Sequence, residues 1–226
     1  MVSRRSALAS KVILSSWVAH VRTSLLEPIP ELELAAKLLD AAADAVLQQR
    51  LDLAARLLSN ANFQEIRDYA WRLVGKMSPE VHHLTKRPKC LPKAERDPRR
   101  MPSQTEQREI FLRDGWRCRF CGIKVINRRA RSVLVHLFSI ESCWTSKERQ
   151  RHAALYALAA SLDHVLPHGR GGKNELPNFV TACYCCQFGR GEWLLDEVGV
   201  QDPLLREPVR DSWDGLTRIV EAQPNN

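Results

Sequence analysis

With 226 residues and 44% hydrophobic content, the chain can bury one good core or two modest ones. Its mean hydropathy of −0.32, and the lack of any apolar run near the roughly 18 to 20 residues of a bilayer span, exclude a helical membrane protein. The net charge of +8 is unevenly placed: residues 81–131 carry 15 basic and 5 acidic side chains, and the tail from 194 carries 3 and 7. Such a block is the electrostatic footprint of a polyanion-binding surface or, more commonly for an isolated run, a solvated linker.

In chain order, the opening segment MVSRRSALASKVILSSWVAHV joins two arginines to apolar residues, but Lys11, His20 and Arg22 interrupt the run. It predicts an ordinary helix in a cytoplasmic protein rather than a secretory leader. Pro28 and Pro30 mark a boundary. Glu31–Leu58 is rich in Ala and Leu with apolar residues at three- and four-residue steps, which predicts a helix. Asn60 and Asn62 offer a break and a cap before a further helix ending near Gly75. Residues 1–81 are thus expected to form a small antiparallel helical domain, for packing or for docking a protein partner.

Residues 82–104 hold four prolines and many charges, and read as a basic linker extended over a surface. His82, His83 and Cys90 lie there without a fourth metal partner and are expected to be solvated. A short helix capped at Ser103 or Thr105 follows, then a turn at Asp114-Gly115, which leads into Cys118-x-x-Cys121-Gly.

Seven cysteines are an odd number, and the chain is large enough to fold without staples, so metal binding is favoured over a disulfide framework. A two-residue gap folds two thiolates onto one metal, and Cys183-x-x-Cys186 repeats the gap of Cys118-x-x-Cys121. Together they supply the four sulfurs of a tetrahedral structural zinc site. The 61 residues between the pairs exceed usual zinc-ribbon spacing. Cys185 breaks the spacing and is assigned a buried place, and Cys143 has no partner at a useful spacing. Four thiolates leave no open position for water, so any chemistry must lie elsewhere.

The segment SLDHVLPHGRGGKNELPNFV, Ser161 to Val180, places Asp163 and His164 at the end of a predicted strand, before a glycine-rich loop. A carboxylate to hold a hard cation beside an imidazole to take a proton from water suits phosphodiester hydrolysis, although Asp-His is also a common structural dipeptide. Neighbours on a strand face opposite ways, so the two meet one substrate only if the strand ends or bends there.

Asp-His-x-x-Pro, the following Gly-Gly, a later Asn, and flanking Cys-x-x-Cys pairs make the chain similar to the zinc-containing HNH endonucleases over about Arg108 to Trp193. The resemblance implies a ββα-metal fold gripping one catalytic Mg²⁺ or Mn²⁺ above a structural Zn²⁺. It implies His164 as general base, Asp163 as metal ligand and Asn178 as the residue that orients loop and base. The family's third residue falls on Gln187, where Asn or His is usual; Gln keeps the amide oxygen one methylene further out, as a ligand or merely facing solvent. His168 is a second candidate at the phosphate or metal, or a surface group. Arg170, Lys173 and Arg190 are expected around the phosphates, with Arg117 and Arg119 beside the first cysteine pair, and Arg190 stands where the family has lysine. The 41 residues between Cys121 and Asp163 exceed the family's short hairpin. They contain KERQRHAALYALAAS, which predicts an amphipathic helix.

The expected chain is therefore α+β: a helical domain (1–81), a basic linker (82–104), and a zinc-stabilised ββα-metal domain (105–226) with a helical insertion (125–160) and an acidic C-terminal wrap. The implied activity is metal-dependent hydrolysis of nucleic acid, DNA favoured, by analogy as the effector of a bacterial restriction or antiphage system. The alternative is a zinc-stabilised nucleic-acid-binding module whose nuclease site has decayed at Gln187.

Overall fold

The structure, a computed structural model, describes residues 22–74, Glu80 and 88–223. The expected helix over 1–21, the helix end at Gly75, and His82 and His83 lie outside these residues.

Helix α1 (Pro30–Leu47) begins with proline, whose missing N–H costs nothing in a first turn, and with Glu31 and Glu33 at the positive end of the helix dipole. The single helix expected from Glu31 to Leu58 is broken. Gln49 adopts φ +58, the Arg50 N–H donates to the Ala45 carbonyl at 2.8 Å, and α2 (Leu51–Asn60) folds back along α1. A left-handed non-glycine residue costs roughly 1–2 kcal/mol. Complete burial of Ala35, Ala36, Leu39, Ala54 and Leu58 outweighs it. Helix α3 (Gln64–Val74) buries Ile66, Tyr69, Ala70 and Leu73.

Of the linker, residues 88–103 do not float free. The Leu91 N–H donates to the Gly169 carbonyl at 2.8 Å, and an Asp97 carboxylate oxygen accepts from the Asn174 N–H at 3.0 Å. Cys90, expected to be solvated, is half-buried. Helix α4 (Gln104–Arg113) starts at Ser103 with a reciprocal capping box to Glu106. Helix α5 (Arg128–Leu137) is capped by Asn127, and the short α6 (Ser139–Ser142) ends at exposed Cys143.

The amphipathic helix expected from Lys147 to Ser161 is also shorter. Glu148–Gln150 forms a 3-10 turn, and only Ala153–Ala157, α7, is helical. All five of its residues are buried, so it has no solvent face; α3 and α8 pack against it. Strand β1 (Ala160–His164) pairs antiparallel with β2 (Phe179–Cys183), Ala160 opposite Cys183 and His164 opposite Phe179. Helix α8 (Tyr184–Arg190) leaves β2 directly, and α9 (Arg218–Glu221) closes the described chain. Mixed helices around one small antiparallel sheet make this an α+β fold.

One connected apolar core joins α1–α3 to the cysteine knuckles, α5, α7, the strands and α8. The closest approach is at Gly189 of α8, where a Cβ would stand 3.0 Å from the Leu73 carbonyl oxygen of α3. A separate small cluster of Ile110, Leu162 and Phe179 lies under α4. The C-terminal segment does wrap back: Trp213 Nε1 donates to the Val125 carbonyl at 3.0 Å, and Arg218 reaches Asp40 and Asp44 of α1 at 2.5 and 2.9 Å. Among the described residues no helix is long and apolar enough to cross a membrane.

Candidate active site

Each cysteine pair sits on a tight knuckle. At the first, Gly122, with φ +79, turns the chain so that its N–H reaches the Cys118 carbonyl at 2.8 Å and the Cys118 N–H reaches the Ile123 carbonyl at 2.9 Å. At the second, the Cys183 sulfur caps α8 by accepting from the Cys186 N–H at 3.3 Å. Pairing of β1 with β2 and the packing of α8 bring the knuckles together. The sulfurs of Cys118, Cys121, Cys183 and Cys186 lie within 4.8 Å of one another, with Cys121 and Cys183 3.8 Å apart. Sulfurs about 2.3 Å from a tetrahedral centre stand near 3.8 Å from each other, so the donor set and its spacing fit zinc. Burial raises the Cys118 thiol, yet hydrogen bonds from the other three cysteines bring it well below the ordinary value. A central dication would hold all four sulfurs as thiolates. None of the seven cysteines is disulfide-bonded, and Cys185 is buried in the core.

Above the knuckles, β1 ends at His164; Asp163 and His164 are both still paired with β2, opposite Val180 and Phe179, so their side chains leave opposite faces of the strand. His164 is 7% exposed, packed on Phe179 with ring centroids 4.3 Å apart and 5.7 Å from His168. Its Nε2 is buried and has no hydrogen-bond partner among the described residues. Burial, reinforced by the charges of His168, Arg100 and Arg190, pushes its pKa down to about 4, so the ring is neutral at pH 7 and can accept a proton.

Asn178 braces the loop after β1. Its Oδ1 accepts from the Leu166 N–H at 2.8 Å, and its Nδ2 donates to the carbonyls of Leu166 and Lys173 at 3.1 and 2.9 Å. Gly172 makes that loop possible, since a Cβ there would lie 1.8 Å from the Leu166 carbonyl oxygen. His168 is engaged through Nε2, 2.8 Å from the Asp97 carbonyl.

The two residues expected to hold a catalytic cation are engaged internally. Arg190 Nε and Nη2 lie 3.2 and 2.8 Å from the same oxygen of Asp163, in a pair buried on both sides. Burial raises the Asp163 carboxyl to about 6, with Arg190 acting in the opposite direction. The Gln187 Oε1 accepts from the Ser161 hydroxyl, and its Nε2 donates to the Leu162 carbonyl at 2.8 Å. In this arrangement Asp163 and Gln187 do not fit a cation between them.

Most of the cations expected at phosphates are also tied inward. Arg190 donates further to the carbonyls of His164, Val165 and Trp193, and Arg119 is buried and donates to those of Pro203 and Arg206. Arg170 makes two bonds to Glu197 at 3.0 and 2.9 Å, and Arg117 pairs with Asp211 at 2.6 Å. Lys173 is exposed. Two residues that the sequence did not single out support the site. Asp97 holds the His168 loop, and buried Asp114 ties α4 to β2 by accepting from the Thr181 N–H at 2.7 Å. The one sequence signal for Asp114 is its place in an Asp-Gly turn; Asp97 sits in a linker with none. No family model, curated protein or solved structure matches this chain.

Proposed function

We propose that the chain is an HNH-type endonuclease that hydrolyses phosphodiester bonds in nucleic acid, DNA favoured, in a cytoplasmic setting. The observation that carries this reading is His164: a buried neutral imidazole with a free Nε2, at the end of β1, beside a loop braced by Asn178 and above a four-cysteine cage. In the reaction, His164 Nε2 takes a proton from water, the water oxygen bonds to phosphorus, the P–O bond to the leaving oxygen breaks, and that oxygen takes up a proton from solvent. Cys118, Cys121, Cys183 and Cys186 would hold a zinc ion, which would supply folding energy and rigidity to both knuckles. Because Asp163 and Gln187 are internally bonded, no step is assigned to a second cation. A protein partner on the outer face of α1–α3, as for the effector of a defence system, belongs to this reading by analogy; co-purification from native cells tests it. Plasmid DNA incubated with the purified chain, with and without Mg²⁺ or Mn²⁺, is expected to be nicked or cut by the parent and not by His164→Ala. Equal cleavage by both would remove His164 from the role.

The Asp163–Arg190 pair and the Gln187 bonds favour a second reading, a zinc-stabilised nucleic-acid-binding module that no longer cleaves. Here the parent is inert with every metal and Gln187→Asn gains Mg²⁺-dependent cleavage. Robust cleavage by the parent, unchanged in Gln187→Asn, rules that reading out.

A further inference from the structure

Eleven of the 15 basic residues in the 81–131 block are arginines, of which several are consumed inside the protein, as Arg113, Arg117 and Arg119 are by Asp114, Asp211 and backbone carbonyls. Three exposed arginines without a carboxylate partner among the described residues, Arg108 of α4 and Arg128 and Arg129 of α5, face one groove. The groove has a volume of about 900 Å³, with α4 and α5 as walls, α9 at one rim and the start of β1 as floor. Arg129 Nη2 spans the walls to the Gln104 side-chain oxygen at 3.2 Å. Glu221 is the one carboxylate among the lining side chains, so the lining is net positive. Amide groups of Gln104, Gln107 and Asn127 add uncharged hydrogen-bonding capacity, and half-buried Phe111, stacked on Trp116 at 4.7 Å, adds an aromatic surface.

We infer that this α4–α5 groove binds a single-stranded stretch of nucleic acid and feeds it past the candidate site; the inference rests on the nucleic-acid reading proposed above. Cations on both walls can neutralise successive phosphates, while amides and an aromatic surface between them suit unpaired bases. Pockets of roughly 300–1,000 Å³ enclose a drug-sized molecule. The groove therefore accommodates a few unpaired nucleotides and not a duplex. Its floor leads to the site, because Ser161 lines the groove, bonds Gln187 and stands two residues before Asp163 on β1. One wall, α5, belongs to the segment that lengthens this chain between Cys121 and Asp163, which gives that insertion a role in holding substrate.

The test is fluorescence anisotropy with short labelled single-stranded DNA, single-stranded RNA and duplex DNA, using the full chain with no added divalent ion and checking strand length by gel after each titration, so that binding is read apart from cleavage. The parent is compared with Arg108→Glu/Arg128→Glu/Arg129→Glu and with a control of equal charge change on α1, α2 and the turn between them, Lys37→Glu/Arg50→Glu/Arg56→Glu. The groove triple is expected to lose on the order of tenfold or more in single-strand affinity, with the slope of log K against log salt flatter by about 2, as three lost single-strand phosphate contacts require. The control should lose far less. If the groove triple does not fold, Arg108→Gln and Arg128→Gln singly should each flatten the slope by about 0.7. Equal losses in groove and control variants, or unchanged slopes in the single variants, overturn the inference, as does a parent that binds duplex alone or nothing. Preference for DNA or RNA identifies the strand. A parent that cleaves while groove variants bind normally sinks the groove and leaves the nuclease reading standing; groove-dependent binding without cleavage does the reverse.

Discussion

His152 and His164 are both buried imidazoles with pKa values depressed to about 4, yet their surroundings give them different work. His152 is a structural pin: its Nδ1 caps α7 by accepting from the Leu155 N–H, and its Nε2 lies 2.8 Å from the Leu58 carbonyl. His164 keeps one nitrogen unpartnered, as a base must. Because burial depresses the folded value of His152 from 6.5 to about 4, its neutral form contributes stability that is complete above pH 6.5 and is lost as pH falls toward 4. The full effect is roughly 3 kcal/mol. Urea titrations at pH 7 and pH 5 are expected to show a smaller acid loss in His152→Gln than in the parent. His164 titrates in the same window, so His164→Gln is the companion measurement. If neither variant reduces the acid loss, the two buried rings are not its source. At this scale the sequence was informative about residue type and not about partners. His164, Asp163 and Asn178 could be picked out by motif, but that Arg190 takes up Asp163 and that Ser161 and Leu162 take up Gln187 follows from how α8 lies on β1.

The two cysteine knuckles were the most legible elements, because a two-residue gap has few ways to fold and the chemistry of four thiolates is specific. The helices were less so. The Ala- and Leu-rich run from Glu31 to Leu58 has helical propensity throughout, and only the antiparallel packing of α1 on α2 explains the turn at Gln49. The segment KERQRHAALYALAAS has an amphipathic pattern, but burial on every side leaves it one short helix, α7. Since the knuckles come from distant parts of the chain, metal loss should release both. Elemental analysis is expected to give one zinc per chain, and removal by a strong chelator to lower the melting temperature by many degrees. Cys183→Ser should lose the metal and Cys143→Ser, at an exposed position outside the cluster, should keep it. Zinc retained by Cys183→Ser would show that the cage is not its site.

At the scale of the whole molecule, composition suggests a helical domain, a linker and a second domain, and one apolar cluster links them from Leu32 in α1 through Leu73 in α3 to Cys185 in α8 and Ile219 in α9. A core shared in this way is expected to unfold as a unit. Calorimetry on the metal-loaded protein is expected to show one transition with equal calorimetric and van't Hoff enthalpies; two resolved transitions would establish separable domains. Residues 88–103 are likewise bound, holding the loop of the candidate site through Leu91 and Asp97 rather than merely joining two bodies. The sequence by itself determined what is local or chemically specific: the cysteine pairs, a helix start at Ser103 or Thr105, the Asp163-His164 strand end, the glycine-rich loop and the concentration of positive charge. The tertiary structure alone decided which charges remain free. An arginine carries the same charge whether it is buried against Asp163 or exposed on α5, and only the packing around it determines whether that charge is neutralised inside or presented to a phosphate.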